Sequence, residues 1–365
     1  DIVTYVLANI LLSNSPIISA VENDENEWID DQKLCLPGYA EIAKKSFGLE
    51  LITNHLISLS KDLKENEEEK EILITKSLKL FFFLIESGGE LIVRNEDEEE
   101  GDDQIITPEQ YQQKLRLLAG LQILKLAEHP VLNNFITSLN VEKLVNLVED
   151  ESLIVRTSFL NALKKCITDE RISIKFLPLM FFVAFEPDKE LKKQVKLWIN
   201  FTSSKKSFQK TTFFERGFSR FIHYIAHHPD IYDQLSCSSS EDTNKQVLSN
   251  AVEYVLYYFE NILKKENITL LFYLSNRVKQ YQDIDETVPE SSNIYIISEI
   301  IQLILVEYKE MKNWDIPVYQ GRLNLPTDLY VPITDPKKQN SIIMTNFLKD
   351  EQVAEIKKML KSKSI

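Results

Sequence analysis

The sequence predicts an all-α protein in which helix pairs stack side by side as a solenoid, and three observations support this fold class. The dipeptides Leu115-Arg116, Val155-Arg156 and Val195-Lys196 recur at intervals of 40 residues. Only 8 of the 365 residues are glycine, which leaves little for tight hairpins or glycine-rich loops. Hydrophobic residues make up 44% of the chain and charged residues 27%, as amphipathic helices that share a core require.

The repeat is clearest over residues 141–166. Two apolar faces define its helices: Leu144, Leu147 and Val148 in the first, and Val155, Phe159, Leu163 and Cys166 in the second. A 40-residue period with two helices per unit is typical of HEAT or armadillo arrays, because each pair covers the apolar face of the next pair. We therefore predict a HEAT-repeat α-solenoid of stacked antiparallel helix pairs.

A polar turn, Glu149-Asp150-Glu151-Ser152, separates the two helices of this unit. An Asp in the turn and an Arg at the recurring position are typical of such repeats. We expect the arginines to bind the Asp of a neighbouring turn and the backbone carbonyls left unpaired there. On this interpretation Arg116, Asp150 and Arg156 are structural repeat residues.

Helical spacing of apolar residues recurs along most of the chain. The predicted helical segments are 2–12, 37–59, 70–86, 108–128, 141–166, 172–201, 213–228, 248–262, 268–281 and 294–308. Pro37 and Pro108 suit the first turn of a helix. By contrast, Pro317, Pro326 and Pro332 forbid a continuous helix over 316–333, so we expect an extended strap there, followed by one last helix over 350–360.

These patterns divide the chain into five parts. We expect helical repeats over 1–89, an acidic flexible loop over 90–107, HEAT repeats over 108–315, the strap over 316–340, and a helix with a basic tail over 341–365. The loop is expected because eight acidic residues face only Arg94 between positions 90 and 103. Since the chain begins with Asp1 inside an apolar-periodic stretch, we expect it to be part of a longer protein.

Composition narrows the classes of function. A formal net charge of −14 argues against a surface that is basic throughout, as a nucleic-acid-binding domain would show. Cys35, Cys166 and Cys237 lie far apart and form no CxxC pair, so we expect neither a disulfide framework nor a thiolate zinc site. No apolar run approaches the ~18 residues that a membrane span needs, so no membrane partner is expected.

Motifs of catalysis are missing from the sequence, which has no GxSxG, HExxH, Walker or GxGxxG pattern. We predict no enzyme, no cofactor and no metal. His223, His227 and His228 do lie close together, and the first two have the i, i+4 spacing that zinc can use. The sequence shows no third ligand, so the favoured interpretation is histidines at a helix end near its dipole and carbonyls. A zinc hydrolase that uses His223 and His227 is the alternative.

Residues 189–220, here called the basic stretch, contain nine basic and two acidic residues. In an acidic chain this stretch concentrates positive potential, which could steer an acidic peptide, a phosphorylated segment or a DNA backbone. The alternative is an ordinary solvated helix face. The candidate partner-binding residues are Lys189, Lys192, Lys193, Lys196, Lys205, Lys206, Arg216 and Arg220.

Four segments carry a resemblance to a known family. They are KLRLLAGLQILKLAEHP at 114–130, EDESLIVRTSFLNALKK at 149–165, LPLMFFVAFEPDKELKKQVKLWI at 177–199 and FSRFIHYIAHHPDI at 218–231. Their order resembles the C-terminal half of a fungal member of the precocious dissociation of sisters protein five family, the HEAT-repeat regulatory subunit of cohesin. Residues 27–56 and 324–333 are similar to that family as well. We expect the sequence to correspond to neither the N-terminal half of the family's array nor the long basic tail of animal members.

The resemblance implies a non-enzymatic scaffold that docks on the kleisin subunit of cohesin and works with the cohesin release factor and the cohesin acetyltransferase. It further implies regulation of sister chromatid cohesion and of cohesin release from chromatin, in the nucleus and on chromosomes, with DNA close by. Stacked repeats alone are also compatible with a karyopherin-like nuclear transport receptor, which would bind a small GTPase and cargo signals.

Overall fold

Helices account for most of the structure, a computed structural model that describes residues 2–12, 28–61, 67–91, 107–235, 241–285 and 292–363. Side chains are described in these ranges except at 233–235 and 241–244. The chain divides into two compact units, Asp1–Phe176 and Leu177–Ile365. The predicted all-α class of the HEAT-repeat type is confirmed. Cys237 and most of the expected acidic loop, positions 92–106, lie outside the described residues.

The first unit is built around one central helix. Its helices are α1 (Ile2–Val6), α2 (Ala40–Lys61), α3 (Glu68–Glu86), α4 (Glu109–Ala127), α5 (Pro130–Phe135), α6 (Ser138–Glu142), α7 (Val145–Val148) and α8 (Leu153–Thr168). A π-helical turn, Leu7–Leu11, extends α1, and two 3-10 turns, Lys33–Cys35 and Pro37–Tyr39, precede α2. Helix α4 packs against α2, α3 and α8, so it contributes to successive layers of the core.

Burial in this unit follows the predicted faces. The apolar side chains expected to face the core over residues 141–166 are all buried, namely Leu144, Leu147, Val148, Val155, Phe159, Leu163 and Cys166. Helical periodicity identifies them because residues three and four apart share one face of a helix.

A 3-10 helix, Ile174–Phe185, occupies a part of the chain for which the sequence predicted an ordinary helix. Pro178 lies inside it and has no backbone N–H to donate, which disfavours a regular α-helix. The polar turn that follows begins the next helix, α9 (Lys189–Ser203), because Asp188 accepts a hydrogen bond of 2.7 Å from the Leu191 N–H.

The second unit packs its helices around an aromatic core. They are α9, α10 (Lys206–Lys210), α11 (Phe213–Ala226), α12 (Pro229–Leu235), α13 (Glu241–Ile262), α14 (Ile268–Arg277), α15 (Asn293–Lys312), α16 (Pro336–Met344) and α17 (Asp350–Ser362). Helix α11 packs against α13, α14 and α15. In this aromatic core, the ring centroid of Phe221 lies 5.5 Å from that of Phe181 and 5.3 Å from that of Tyr258.

The strap contains a short strand. Strand β2 (Tyr330–Pro332) pairs antiparallel with β1 (Tyr281–Asp283), and Asp283 lies opposite Tyr330. The Tyr330 hydroxyl donates to the Ser219 carbonyl on α11 at 2.7 Å, and Arg220 forms an ion pair of 2.8 Å with Asp328. The strap is therefore fixed to α11 by polar contacts as well as by its strand.

Two local features differ from the sequence prediction. The α-helix expected over 268–281 ends at Arg277, a 3-10 helix follows at Val278–Gln280, and residues from Tyr281 onward pair with β2. Helix α16 begins at Pro336, within the range expected to be extended, and adds a second helix to the C-terminal part of the chain. Asp335 caps it by accepting from the Lys337 N–H at 2.9 Å, and a proline at the first helical position is favourable.

No helix in the described ranges is both long enough and apolar enough to cross a membrane.

Two glycines, Gly88 and Gly89, follow the C-cap of helix α3, and their substitution separates two physical effects. Both have positive φ, +68° at Gly88 and +102° at Gly89, and the Gly89 N–H donates to the Leu84 carbonyl in a Schellman-type end. A Cβ at Gly89 would lie 2.2 Å from the backbone oxygen of Gln112, whereas a Cβ at Gly88 meets open space.

We expect Gly88→Ala to cost about 1–2 kcal/mol, the penalty of a left-handed residue with a side chain. Gly89→Ala should cost clearly more, because the backbone of α4 would also have to move. Thermal unfolding of the two variants measures the difference. Equal midpoints would mean that α3 and α4 do not approach as closely as described.

Candidate functional site

The recurring arginine of α4 lies in a buried polar network. Arg116 Nε is 2.7 Å from Asp150 Oδ2 and Arg116 Nη2 is 3.0 Å from Asp150 Oδ1, so the guanidinium binds the carboxylate with two donors. Its Nη1 also donates to the Gly88 carbonyl at 2.9 Å and to Glu109 at 3.1 Å. Burial favours the neutral form of this guanidinium, but Asp150 and then Glu109 raise the pKa of Arg116 above its ordinary value.

The other two positions of the 40-residue repeat, Arg156 and Lys196, differ in burial and in contacts. Arg156 is buried and its Nη1 donates to the backbone carbonyls of Asp150 and Glu151, at 2.5 and 3.0 Å. These carbonyls belong to the turn before α8, whose helical ladder cannot satisfy them. Lys196, the third position, is exposed on α9 and lies 3.3 Å from Glu260. The 40-residue spacing thus brings Arg116 and Arg156 to one turn, while Lys196 lies on the surface of the second unit.

The candidate partner-binding residues of the basic stretch fall into two groups. Three have contacts within the second unit: Lys192 donates to the Ala184 carbonyl, Lys196 pairs with Glu260, and Arg220 pairs with Asp328. The Lys192 ammonium also lies 5.6 Å from the centroid of the Tyr257 ring. Lys189, Lys193, Lys206 and Arg216 are exposed, and Lys205 is half-buried.

An exposed row runs along α9 through the exposed lysines. Lys189, Lys193, Leu197 and Phe201 follow one another at i, i+4 spacing, and we call them the α9 ridge. The side chains of Leu197 and Phe201 are large and apolar, yet Leu197 is 59% exposed and Phe201 is 69% exposed. The Lys205 ammonium lies 5.3 Å from the centroid of the Phe201 ring. The ridge combines two exposed apolar side chains with positive charge at both ends.

A second cluster joins α11 to β1. His223 Nε2 lies 3.0 Å from Asp283 Oδ1, and His227 Nε2 lies 2.7 Å from Asp283 Oδ2. The two imidazole rings stack with centroids 4.2 Å apart and an interplanar angle of 11°. Both rings therefore face the carboxylate, and not the helix carbonyls that the sequence interpretation assigned to them. The ligand atoms of the three residues all lie within 4.8 Å of one another.

The electrostatics of this cluster favour a charged carboxylate. Burial disfavours the ionised form of Asp283, but hydrogen bonds from His223 and His227 outweigh burial and hold its pKa well below the usual range. The Asp285 N–H also donates to Asp283 Oδ1 at 3.0 Å. His228, the third histidine of the sequence cluster, points elsewhere and stacks on the Phe182 ring with centroids 5.5 Å apart.

Sequence reasoning missed Asp283 as a member of this cluster. It lies 56 residues after His227 and two residues beyond the helix predicted over 268–281. No local signal identifies such a partner, because the pairing of β1 with β2 brings it into place.

Comparison with known proteins places the chain in a family. The family described as "Sister chromatid cohesion protein PDS5 protein" matches residues 1–331 of this chain. The chain belongs to this family. The resemblance inferred from the ordered segments is thereby confirmed, and so is the association of the PDS5 family with sister chromatid cohesion.

Two curated PDS5 relatives come from yeasts. The Saccharomyces cerevisiae sister chromatid cohesion protein PDS5 is 44% identical over 350 residues, which is 91% of this chain and 27% of that protein. The Schizosaccharomyces pombe sister chromatid cohesion protein pds5 is 31% identical over 245 residues, 66% of this chain and 19% of that protein. The chain thus spans about a quarter of the first relative and about a fifth of the second.

Proposed function

We propose that this PDS5 chain is part of a non-enzymatic cohesin-associated scaffold that binds the kleisin subunit and regulates sister chromatid cohesion and cohesin release from chromatin. The observation that carries the proposal is the 44% identity to a protein named for sister chromatid cohesion. The release factor and the acetyltransferase of cohesin are the further partners that the family relationship suggests. The proposed location is the nucleus, on chromosomes and close to DNA.

Within the chain, we propose the α9 ridge as the surface that contacts the partner. Large apolar side chains exposed side by side are a feature of protein interaction sites, and lysines beside them favour a partner segment that is acidic with apolar anchors. Lys192, Lys196 and Arg220 are less suitable as contacts, because their charges already meet groups of the second unit. The proposed contact residues are thus Lys189, Lys193, Leu197 and Phe201, with Lys205 and Lys206 at one end.

The test is a pull-down of the cohesin kleisin by the complete protein. We expect the variant Lys193→Glu/Phe201→Ala to bind the kleisin at least about tenfold more weakly, or 1.4 kcal/mol, because it removes an apolar anchor and reverses a charge. The matched control is Lys309→Glu/Lys312→Glu on α15, which changes two exposed lysines in the same unit. Unchanged thermal midpoints would show that both variants fold.

The possible results are distinct. Loss of binding by the ridge variant alone supports both the function and the surface. Equal binding by the wild type, the ridge variant and the α15 control supports the function but shows that the kleisin does not contact the α9 ridge. If the wild-type protein captures no cohesin subunit, the proposed function is wrong.

A further inference from the structure

The cluster between α11 and β1 has the composition of a metal site. His223 and His227 lie one helical turn apart, so their imidazoles project from the same side of α11. The sequence interpretation lacked a third ligand, and the fold supplies one through Asp283 on β1. Two imidazole nitrogens and one carboxylate oxygen form a common ligand set of zinc proteins.

We propose that His223, His227 and Asp283 bind one divalent transition-metal ion, with zinc as the preferred occupant. The distances between ligand atoms support the proposal. In a tetrahedral zinc site with bonds of about 2.0–2.1 Å, neighbouring ligand atoms lie roughly 3.3 Å apart. The two nitrogen–oxygen distances here are 3.0 Å from His223 to Asp283 Oδ1 and 2.7 Å from His227 to Asp283 Oδ2, and one ligand atom from each of the three residues lies within 4.8 Å of the others. Small side-chain movements would therefore open the cluster enough to hold the ion.

Burial and charge also suit a cation at this position. His223 and Asp283 are buried, so few waters compete for their ligand atoms. The Asp283 carboxylate supplies a negative charge that balances part of the charge of a divalent ion. The His227 side chain is 9% exposed, so solvent reaches this side of the cluster and could supply a water as the fourth ligand. Nitrogen-rich ligand sets favour zinc over magnesium and calcium, which prefer oxygen.

The ion would connect two elements of the second unit. Its ligands come from α11 and from β1, and β1 pairs with β2 of the strap. Metal binding would therefore link the helix to both strands and raise the stability of the strap. Without metal, the same three side chains form a hydrogen-bonded clamp in which each imidazole donates to Asp283.

Zinc content provides the first test. The chain, purified without a polyhistidine tag, is stripped with a chelator, incubated with zinc, dialysed and analysed for metal. We expect about one zinc ion per chain and a thermal midpoint several degrees above that of the metal-free protein. Asp283→Asn and His227→Gln should each weaken zinc binding by at least about a hundredfold, since even outer-shell changes cost 10–100-fold.

A control variant and a second measurement accompany the zinc analysis. His129→Gln removes a histidine from the first unit and should leave zinc content unchanged. Titration of the wild-type protein with cobalt needs no variant, and a visible absorption band that saturates at one equivalent would report tetrahedral coordination. Wild-type protein without stoichiometric zinc, or Asp283→Asn that binds zinc like wild type, would overturn the proposal and leave the hydrogen-bonded clamp.

Discussion

Replacing Arg116 with methionine is expected to lower the free energy of unfolding of the first unit by about 3–5 kcal/mol. Methionine keeps the apolar volume of the side-chain stem but leaves the Asp150 carboxylate buried without its cation. Both side chains are well buried, with 8% exposure for Arg116 and 6% for Asp150. For a unit of this size, the thermal midpoint should fall by roughly 6–20 °C.

The control is an exposed ion pair in the same unit. Lys143 and Glu86 lie 2.8 Å apart, but their side chains are 40% and 44% exposed. Lys143→Met should therefore cost less than about 1 kcal/mol. The double variant Arg116→Met/Asp150→Leu should recover part of the loss, because neither charge is left unpaired. A midpoint for Arg116→Met that matches the midpoint for Lys143→Met would show that the buried network does not stabilise the repeat.

Phe221→Ala is expected to destabilise the second unit by about 3–5 kcal/mol, the range for removing a buried phenylalanine. The ring of Phe221 is fully buried and lies within 5.6 Å of Phe181, Phe182 and Tyr258 between centroids. Its removal leaves a cavity among rigid aromatic rings that cannot close around the gap.

Phe201→Ala removes the same side chain from the α9 ridge of this unit, where it is exposed. Its effect on stability should stay within about 0.5 kcal/mol. Thermal unfolding followed by circular dichroism compares the two variants directly. Similar midpoints for Phe221→Ala and Phe201→Ala would contradict the described core.

The sequence predicted features that depend on neighbouring residues and missed those that depend on residues far apart in the chain. Apolar faces such as that of Leu144, Leu147 and Val148 were predictable because helical periodicity is local. Helix α16 was missed although Asp335 directly before Pro336 is a local signal for a helix start, because the prolines of the strap predicted an extended chain. The partnership of His223 with Asp283 was not predictable, because a strand pair formed by distant segments creates it.

The candidate surfaces show the same limit. Charge counting found the basic stretch, but only the fold separates Lys192, whose ammonium donates to a backbone carbonyl, from the exposed Lys193. It also shows that Leu197 and Phe201, which look like ordinary core residues of an amphipathic helix, point to solvent.

The bond from the Tyr330 hydroxyl to the Ser219 carbonyl joins residues 111 positions apart, and it sets an order on folding during synthesis. The pair Arg116 and Asp150 is separated by only 34 positions, so the first unit can complete its network soon after its helices leave the ribosome. Helix α11 can make its bond to the strap only after β2 has been synthesised. At synthesis rates of about 5–20 residues per second, that interval lasts roughly 5–20 seconds. During this time a nascent chain displays the strap-binding side of α11 to chaperones and to other chains.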